Sequence, residues 1–273
     1  MKTKIIPALI LAIAFAGTTQ AQNQNDNKQQ VVVPLSSPGK SCKVKVHALY
    51  GSIRITTYEG KDVVVEVESD KRDDDGGSSG SGGMRRIGGG GAEVTAKEDD
   101  NTVNIDAGLS HVKLISIKVP ANTNELEASA VNDGNITIKD VSGQIEITNV
   151  NGWIHCDGAS GSVVANTVNG DVIVDFKTVN PQAAMAFSTL NGKVDVTFPA
   201  TLKARLKLKA EQGDIFSDFD VAIEKRQASG EKTGDGHMYK IAIDDWVYGS
   251  VGGGGPEIMM KTFNGSVYVR KAK

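Results

Sequence analysis

Apolar and polar residues alternate along much of the chain. Cys42, Val44 and Val46 form one apolar set, Ile53 and Ile55 the next, and Val63, Val65 and Val67 a third. A period of two places every second side chain on one face of a strand. Further strands are predicted within 92–107, turning at Asp99-Asp100-Asn101, and over 111–119, stopped by Pro120. No convincing helical period of 3.6 residues follows residue 21.

A repeat then appears. Gly134, Gly143, Gly152, Gly161 and Gly170 stand nine residues apart, each after a short polar residue: Asp133, Ser142, Asn151, Ser160 and Asn169. Looser copies lie at Gly192, Gly213 and Gly265, and an earlier one at Gly51. A fixed period of this kind is the mark of stacked repeats. Two and four residues after the glycines come Ile136/Ile138, Ile145/Ile147, Ile154/Cys156, Val163/Ala165, Val172/Val174, Val194/Val196 and Val267/Val269, the predicted core. One residue after come Asn135, Gln144, Trp153, Ser162, Asp171, Lys193 and Ser266, predicted to face outward. Two residues before come Val141, Val150, Val168, Leu190 and Phe263, predicted inward if alternation runs unbroken through Asn-Gly.

A two-residue hairpin would pair its flanking residues, Val150 and Trp153, on one face. The other repeats contradict that pairing. A corner that bends the chain and keeps the same face inward fits them, with glycine at the bend because it has no side chain. The expected fold is all-β: a β-solenoid, a β-helix-like repeat of short strands with glycine corners.

Three phrases carry a resemblance: Thr167-Val-Asn-Gly-Asp-Val-Ile-Val174, Thr189-Leu-Asn-Gly-Lys-Val-Asp-Val196 and Thr262-Phe-Asn-Gly-Ser-Val-Tyr-Val269. They resemble the repeat of the bacterial putative-adhesin family, a domain family of unknown function found in envelope proteins. Ile117-Lys-Val-Pro120 and the glycines at 252–255 look like it too. The resemblance covers roughly 41–273. It implies a solenoid-like fold and brings no catalytic residues.

The chain begins with Lys2 and Lys4, an apolar run from Ile5 to Ala16, and Gly17-Thr-Thr-Gln-Ala21. That order reads as a secretory signal peptide cut after Ala21, too short for a membrane span. Losing two lysines and no acids takes the formal charge from −3 to −3 − 2 = −5 for residues 22–273. Mild acidity argues against nucleic acid as a partner. Residues 22–40 are expected to be a flexible spacer, 70–91 a Gly/Ser-rich loop, and 41–273 one adhesin-like domain. The protein is expected in the periplasm, at the cell surface or outside the cell. An oxidising compartment permits a disulfide between Cys42 and Cys156, and their separation in sequence leaves the pairing open.

Most candidate chemistry dissolves on inspection. Gly76-Gly-Ser-Ser-Gly80 matches a nucleophile-elbow pattern but lies in low-complexity sequence with no helix after it. Gly39-Lys40-Ser41 lacks the first glycine and the helix of a phosphate loop. The nine-residue spacing matches calcium-binding rolls, but Gly152-Trp-Ile-His-Cys-Asp157 puts hydrophobic side chains where ligands belong. His155 and Cys156 alternate to opposite faces, and His47, His111 and His237 have no ligand spacing. Asp218/Asp220 and Asp244/Asp245 are paired acids that matter only if a glycan is cleaved.

Two features survive. Lys203, Arg205, Lys207 and Lys209 share one face of a strand whose other face is Ala204, Leu206, Leu208 and Ala210. Such a row suits an anionic glycan or polymer, although a solvated outer face is the more ordinary reading. Trp153, Phe216 and Tyr268 are aromatics in outward phase, where rings stack on sugars. The expectation is an exported, non-enzymatic adhesion or interaction module with no cofactor and no metal. Its partner is a glycan, an anionic envelope polymer or an envelope protein. The alternatives are a periplasmic scaffold or sensor in an envelope-stress pathway and, more distantly, a carbohydrate-active enzyme on a solenoid.

Overall fold

The computed structural model describes residues 28–69, 93–224 and 246–273, and the backbone of 229–233 and 238–242. The predicted signal peptide, the 70–91 loop with its Gly76–Gly80 motif, His237 and the Asp244/Asp245 pair lie outside the described residues.

The N-terminal part supplies β1 (Lys28–Val33), β2 (Cys42–Tyr50), β3 (Ser52–Tyr58), β4 (Val63–Ser69), β5 (Thr95–Asp99), β6 (Thr102–Asp106) and β7 (Val112–Pro120). The middle supplies β8 (Thr123–Asn132), β9 (Ile136–Lys139), β10 (Ser142–Thr148), β11 (Ile154–Asn166), β12 (Val172–Val179), β13 (Met185–Asn191) and β14 (Val194–Phe198). Then come β15 (Ala204–Gln212), β16 (Ile215–Ser217), β17 (Ala222–Ile223), β18 (Ser229–Thr233), β19 (Met238–Ala242), β20 (Val247–Val251), β21 (Glu257–Asn264) and β22 (Val267–Lys271).

Strands pair in parallel and in register from coil to coil, which is the predicted solenoid. Each coil has a front strand and a back strand. In stacking order the coils are β6/β7, β2/β3, β8/β9, β10 with the first half of β11, the second half of β11 with β12, β13/β14, β21/β22 and β15/β16. This is not chain order at either end. The early coil β2/β3 lies beneath β6/β7, and the last coil β21/β22 lies between β13/β14 and β15/β16. Among the described residues, antiparallel strands close three of the four outer edges: β5 on β6, β4 and β1 beyond β7, and β20 and β17 beyond β15. Capping of this kind blunts the edges of the stack.

Residues two and four after each glycine fill the interior: Ile136, Ile138, Ile154, Cys156, Val172, Val174, Val194, Val196 and Val267 are all 0% exposed. Phe176, Phe187 and Phe198 fill the middle of the stack, with Phe176 and Phe198 stacked at 5.4 Å.

The nine-residue period is half a coil. Gly134, Gly152 and Gly170 stack in one corner, and Gly143 and Gly161 in the opposite one. That is why Asn-Gly and Ser-Gly alternate. A Cβ on Gly170 would stand 2.4 Å from the carbonyl oxygen of Gly152 (the corner below), so close approach of the two backbones requires glycine.

Alternation does not run unbroken through the Asn-Gly corner. Val168 and Leu190, predicted inward, are 37% and 47% exposed. The inward residue is one earlier. Thr167, Thr189 and Thr262 donate their hydroxyls to the carbonyls of Gly152, Gly170 and Gly192 at 2.7–2.9 Å. Asn149 does the same with its amide to Gly134 at 2.8 Å. Outside them, Asn151, Asn169, Asn191 and Asn264 each donate to the asparagine of the adjacent coil, beginning at Asn132, in one ladder. A buried polar residue with its bond made breaks the apolar alternation without cost to the core. Val141, which precedes the opposite corner, is buried as expected.

Two other expectations need correction. The spacer is shorter than 22–40: β1 pairs antiparallel with β4, and Val33 and Leu35 are buried because the β4 edge and the core below it accept them. Glu98 and Asn101 hold Ser36 and Ser37 against the stack. Cys42 and Cys156 are both free and buried. Cys42 lies on the front strand β2, beside Thr123. Cys156 lies on the back strand β11, with Ile138 of the intervening coil beside it. Opposite sheets and an intervening coil keep the sulfurs apart, since a disulfide needs Cα atoms within about 7 Å.

Candidate functional site

The predicted site residues fall into three groups. On the front sheet, alternation along β15 buries Ala204, Leu206 and Leu208 and turns Arg205, Lys207 and Lys209 outward. β21 runs beside it in parallel, placing Glu257 opposite Arg205, Met259 opposite Lys207 and Lys261 opposite Lys209. On the other side β20 runs antiparallel, placing Ser250 opposite Arg205 and Tyr248 opposite Lys207.

Trp246, just before β20, lies over the end of this row. The Lys207 ammonium is 4.7 Å and the Lys209 ammonium 5.9 Å from its ring centroid. Lys209 also pairs with Glu211 at 3.0 Å. Contacts of the cation–ring kind contribute about 0.5–1 kcal/mol each when exposed. The row therefore divides: Lys207 and Lys209 are half-covered, whereas Lys203 and Arg205 are exposed.

On the back sheet of the same coils, Phe216 of β16 stacks on Tyr268 of β22 at 5.1 Å and 14°. The Arg270 guanidinium lies 5.0 Å from the Tyr268 ring centroid and grips Asp195 with two bonds of 2.5 and 3.1 Å. Lys193 reaches the same carboxylate at 3.2 Å. That carboxylate, 8% exposed with its residue, is thereby fully paired. Phe216 is 49% exposed. Trp153 is 39% exposed and meets His155 edge-on at 6.2 Å. Between the His155 row and Tyr268 lie three coil steps, through Ile173 and Asp195, or about 14 Å.

The structure thus joins Phe216 to Tyr268, leaves Trp153 apart, and sets the cations on the opposite sheet from all three aromatics. Trp246, Tyr248 and Lys261 join the front patch without any sequence signal, because long-range pairing of β20 and β21 with β15 brings them there. Asp218 and Asp220 are on the surface after β16. Among the described residues, no three His, Cys, Asp or Glu side chains converge as metal ligands, and no helix is long and apolar enough to cross a membrane. Burial pushes the Cys156 thiol up to about 12, with Asp157 and Asp175 adding to the shift. Such a thiol is inert at neutral pH.

A family model, Toastrack DUF4097, matches residues 18–245. No curated protein matches the chain. A crystal structure of a putative cell adhesion protein from Clostridium sporogenes is similar with a TM-score of 0.44 at 9% identity, over 90% of this chain and 99% of that one.

Proposed function

The chain belongs to the toastrack DUF4097 family, and on that footing we propose that it is an exported, non-enzymatic interaction module of the bacterial envelope that binds an anionic polymer or glycan. The observation that carries this reading is the front patch. Arg205, Lys207, Lys209 and Lys261 gather on neighbouring strands, with Lys203 just before β15, on a chain whose formal charge is −3. A concentrated field of one sign on a chain of the other attracts and orients a polyanion. Side chains two residues apart on a strand repeat at about 6.8 Å, so an extended polyanion can meet several of them.

The test is binding of the purified protein to immobilised envelope polymers beside a variant with Lys203, Arg205, Lys207 and Lys209 changed to Gln. The reading expects at least a tenfold loss of affinity in the variant, about 1.4 kcal/mol. Equal binding by both proteins would sink it, and reproducible cleavage of a glycan by the pure protein would end its non-enzymatic part.

A second reading, a periplasmic scaffold or sensor with a protein partner, is favoured by one other feature. Val150, Val168, Leu190 and Phe263 line up on successive coils beside the asparagine ladder, and Val168 and Leu190 are exposed. Exposed apolar stripes mark contact surfaces. Protease added to intact cells distinguishes the two: it trims a surface module and spares a periplasmic one.

A further inference from the structure

The exposed end of the cation row meets an unusual turn. Between β20 and β21 the chain reads Val251-Gly252-Gly253-Gly254-Gly255-Pro256. Gly252, Gly253 and Gly254 have φ of +61°, +86° and +89°, three successive residues in the region that side chains avoid. The turn is closed by the Gly254 N–H, which donates to the Val251 carbonyl at 3.1 Å. It rests on the stems of both exposed cations. A Cβ on Gly252 would lie 3.0 Å from Lys203 Cγ, one on Gly255 2.3 Å from the Lys203 carbonyl oxygen, and one on Gly254 3.8 Å from Arg205 Cγ. Gly252, Gly253 and Gly255 are exposed, and nothing lies within 4 Å of where a Gly253 Cβ would be. Among the described residues Lys203 and Arg205 make no ion pair and no ring contact.

Successive peptide N–H groups on a turn of positive φ make a concavity for anions, and glycine lets a ligand come close to them. A guanidinium adds a planar fork of donors and an ammonium a point charge. Donors from two side chains and the backbone, set around one turn, suit a group with three or four anionic oxygens better than a planar carboxylate. We propose that Lys203, Arg205 and the N–H groups of Gly252, Gly253 and Gly255, on a turn closed by the Gly254 N–H, form a cradle for a phosphate group. This rests on the reading of the front patch as a polymer-binding face, and makes its ligand a phosphate-bearing one. Glu257, opposite Arg205 on β21, opposes it. Its carboxylate competes for Arg205, so its removal strengthens the site.

The experiment is 15N-glycine labelling of the purified protein, titrated with inorganic phosphate, then poly(glycerol phosphate), then phosphatidylglycerol vesicles. The Gly253→Ala variant, which has room for a methyl group although its φ of +86° strains it, identifies one loop resonance by its loss. Phosphate and at least one phosphate-bearing probe are expected to shift the Gly252–Gly255 amides and leave corner glycines such as Gly152 and Gly170 unmoved. Changing Lys203 and Arg205 to Gln should weaken the effect at least tenfold, and Glu257→Gln should tighten it several-fold. Unmoved loop amides, or equal shifts in the Lys203/Arg205 variant, would overturn the cradle. If the soluble polymer still binds in that case, the wider function stands without it. If phosphate shifts the loop but no polymer binds, the cradle stands and the polymer reading fails. Shifts with vesicles alone assign the site to lipid headgroups.

Discussion

Each Asn-Gly corner commits its polar atoms to the neighbouring coil. Thr189 sends its hydroxyl to the Gly170 carbonyl at 2.8 Å, and Asn191 its amide to Asn169 at 2.7 Å. Thr189→Val leaves that carbonyl without its hydroxyl partner and should cost about 1–2 kcal/mol in denaturant unfolding. Gly170→Ala forces a Cβ against backbone that cannot yield and should cost at least ~2 kcal/mol. Gly253→Ala meets open space and carries only the strain of an L side chain at φ +86°, so it should cost less, about 1 kcal/mol. At the far end of the stack, bonds from the Ser36 N–H and hydroxyl, and then from the Asn101 N–H, hold the Glu98 carboxyl below its ordinary 4.5. A depressed carboxyl stabilises the fold above its unfolded value and loses that effect as pH falls through the folded one. Glu98→Gln should therefore unfold more readily than the parent at pH 7, with the gap closing as pH drops below about 4.5. The glycines and the +2/+4 core were legible because hydrophobic period two records them directly. The inward threonines were not, because a buried hydroxyl with a partner looks polar in a sequence.

Strands in this molecule are short, and their order in the stack departs from their order in the chain. The terminal pieces 42–58 and 257–271 are interior coils, each covered on both sides. Hydrogen exchange should find β21 and β22 protected like β12 and β13, not frayed as chain ends usually are. Rapid exchange across β21 and β22 would contradict the observed order. Repeats could not reveal it, since Thr262-Phe263-Asn264-Gly265 has the same phase wherever it is stacked. The predicted site shows the same boundary between local and long-range information. Alternation along β15 sets Arg205, Lys207 and Lys209 on one face, as expected, with Lys203 exposed just before the strand. The Trp246 ring over two of them, and the separation of Trp153 from Phe216 and Tyr268, depend on which coil lies beside which.

At the scale of the whole molecule, the structure is a thin two-sided stack with different chemistry on its surfaces. The front carries a cationic end, the back an aromatic pair beside the ion pair of buried Asp195 with exposed Arg270, and one corner an asparagine ladder flanked by apolar side chains. Cys42 and Cys156 are single buried thiols, so a thiol assay should count two free sulfhydryls after unfolding without reductant and almost none before. A disulfide would remove both from that count. The proposed function rests on the cationic end, and one measurement addresses it most directly: the affinity of the unaltered protein for poly(glycerol phosphate) as salt is raised. If about three phosphates are gripped, affinity should fall roughly a hundredfold between about 50 and 500 mM salt, with the logarithm of affinity linear in the logarithm of salt. Affinity that does not change with salt, or no binding at the lowest salt, would contradict the account.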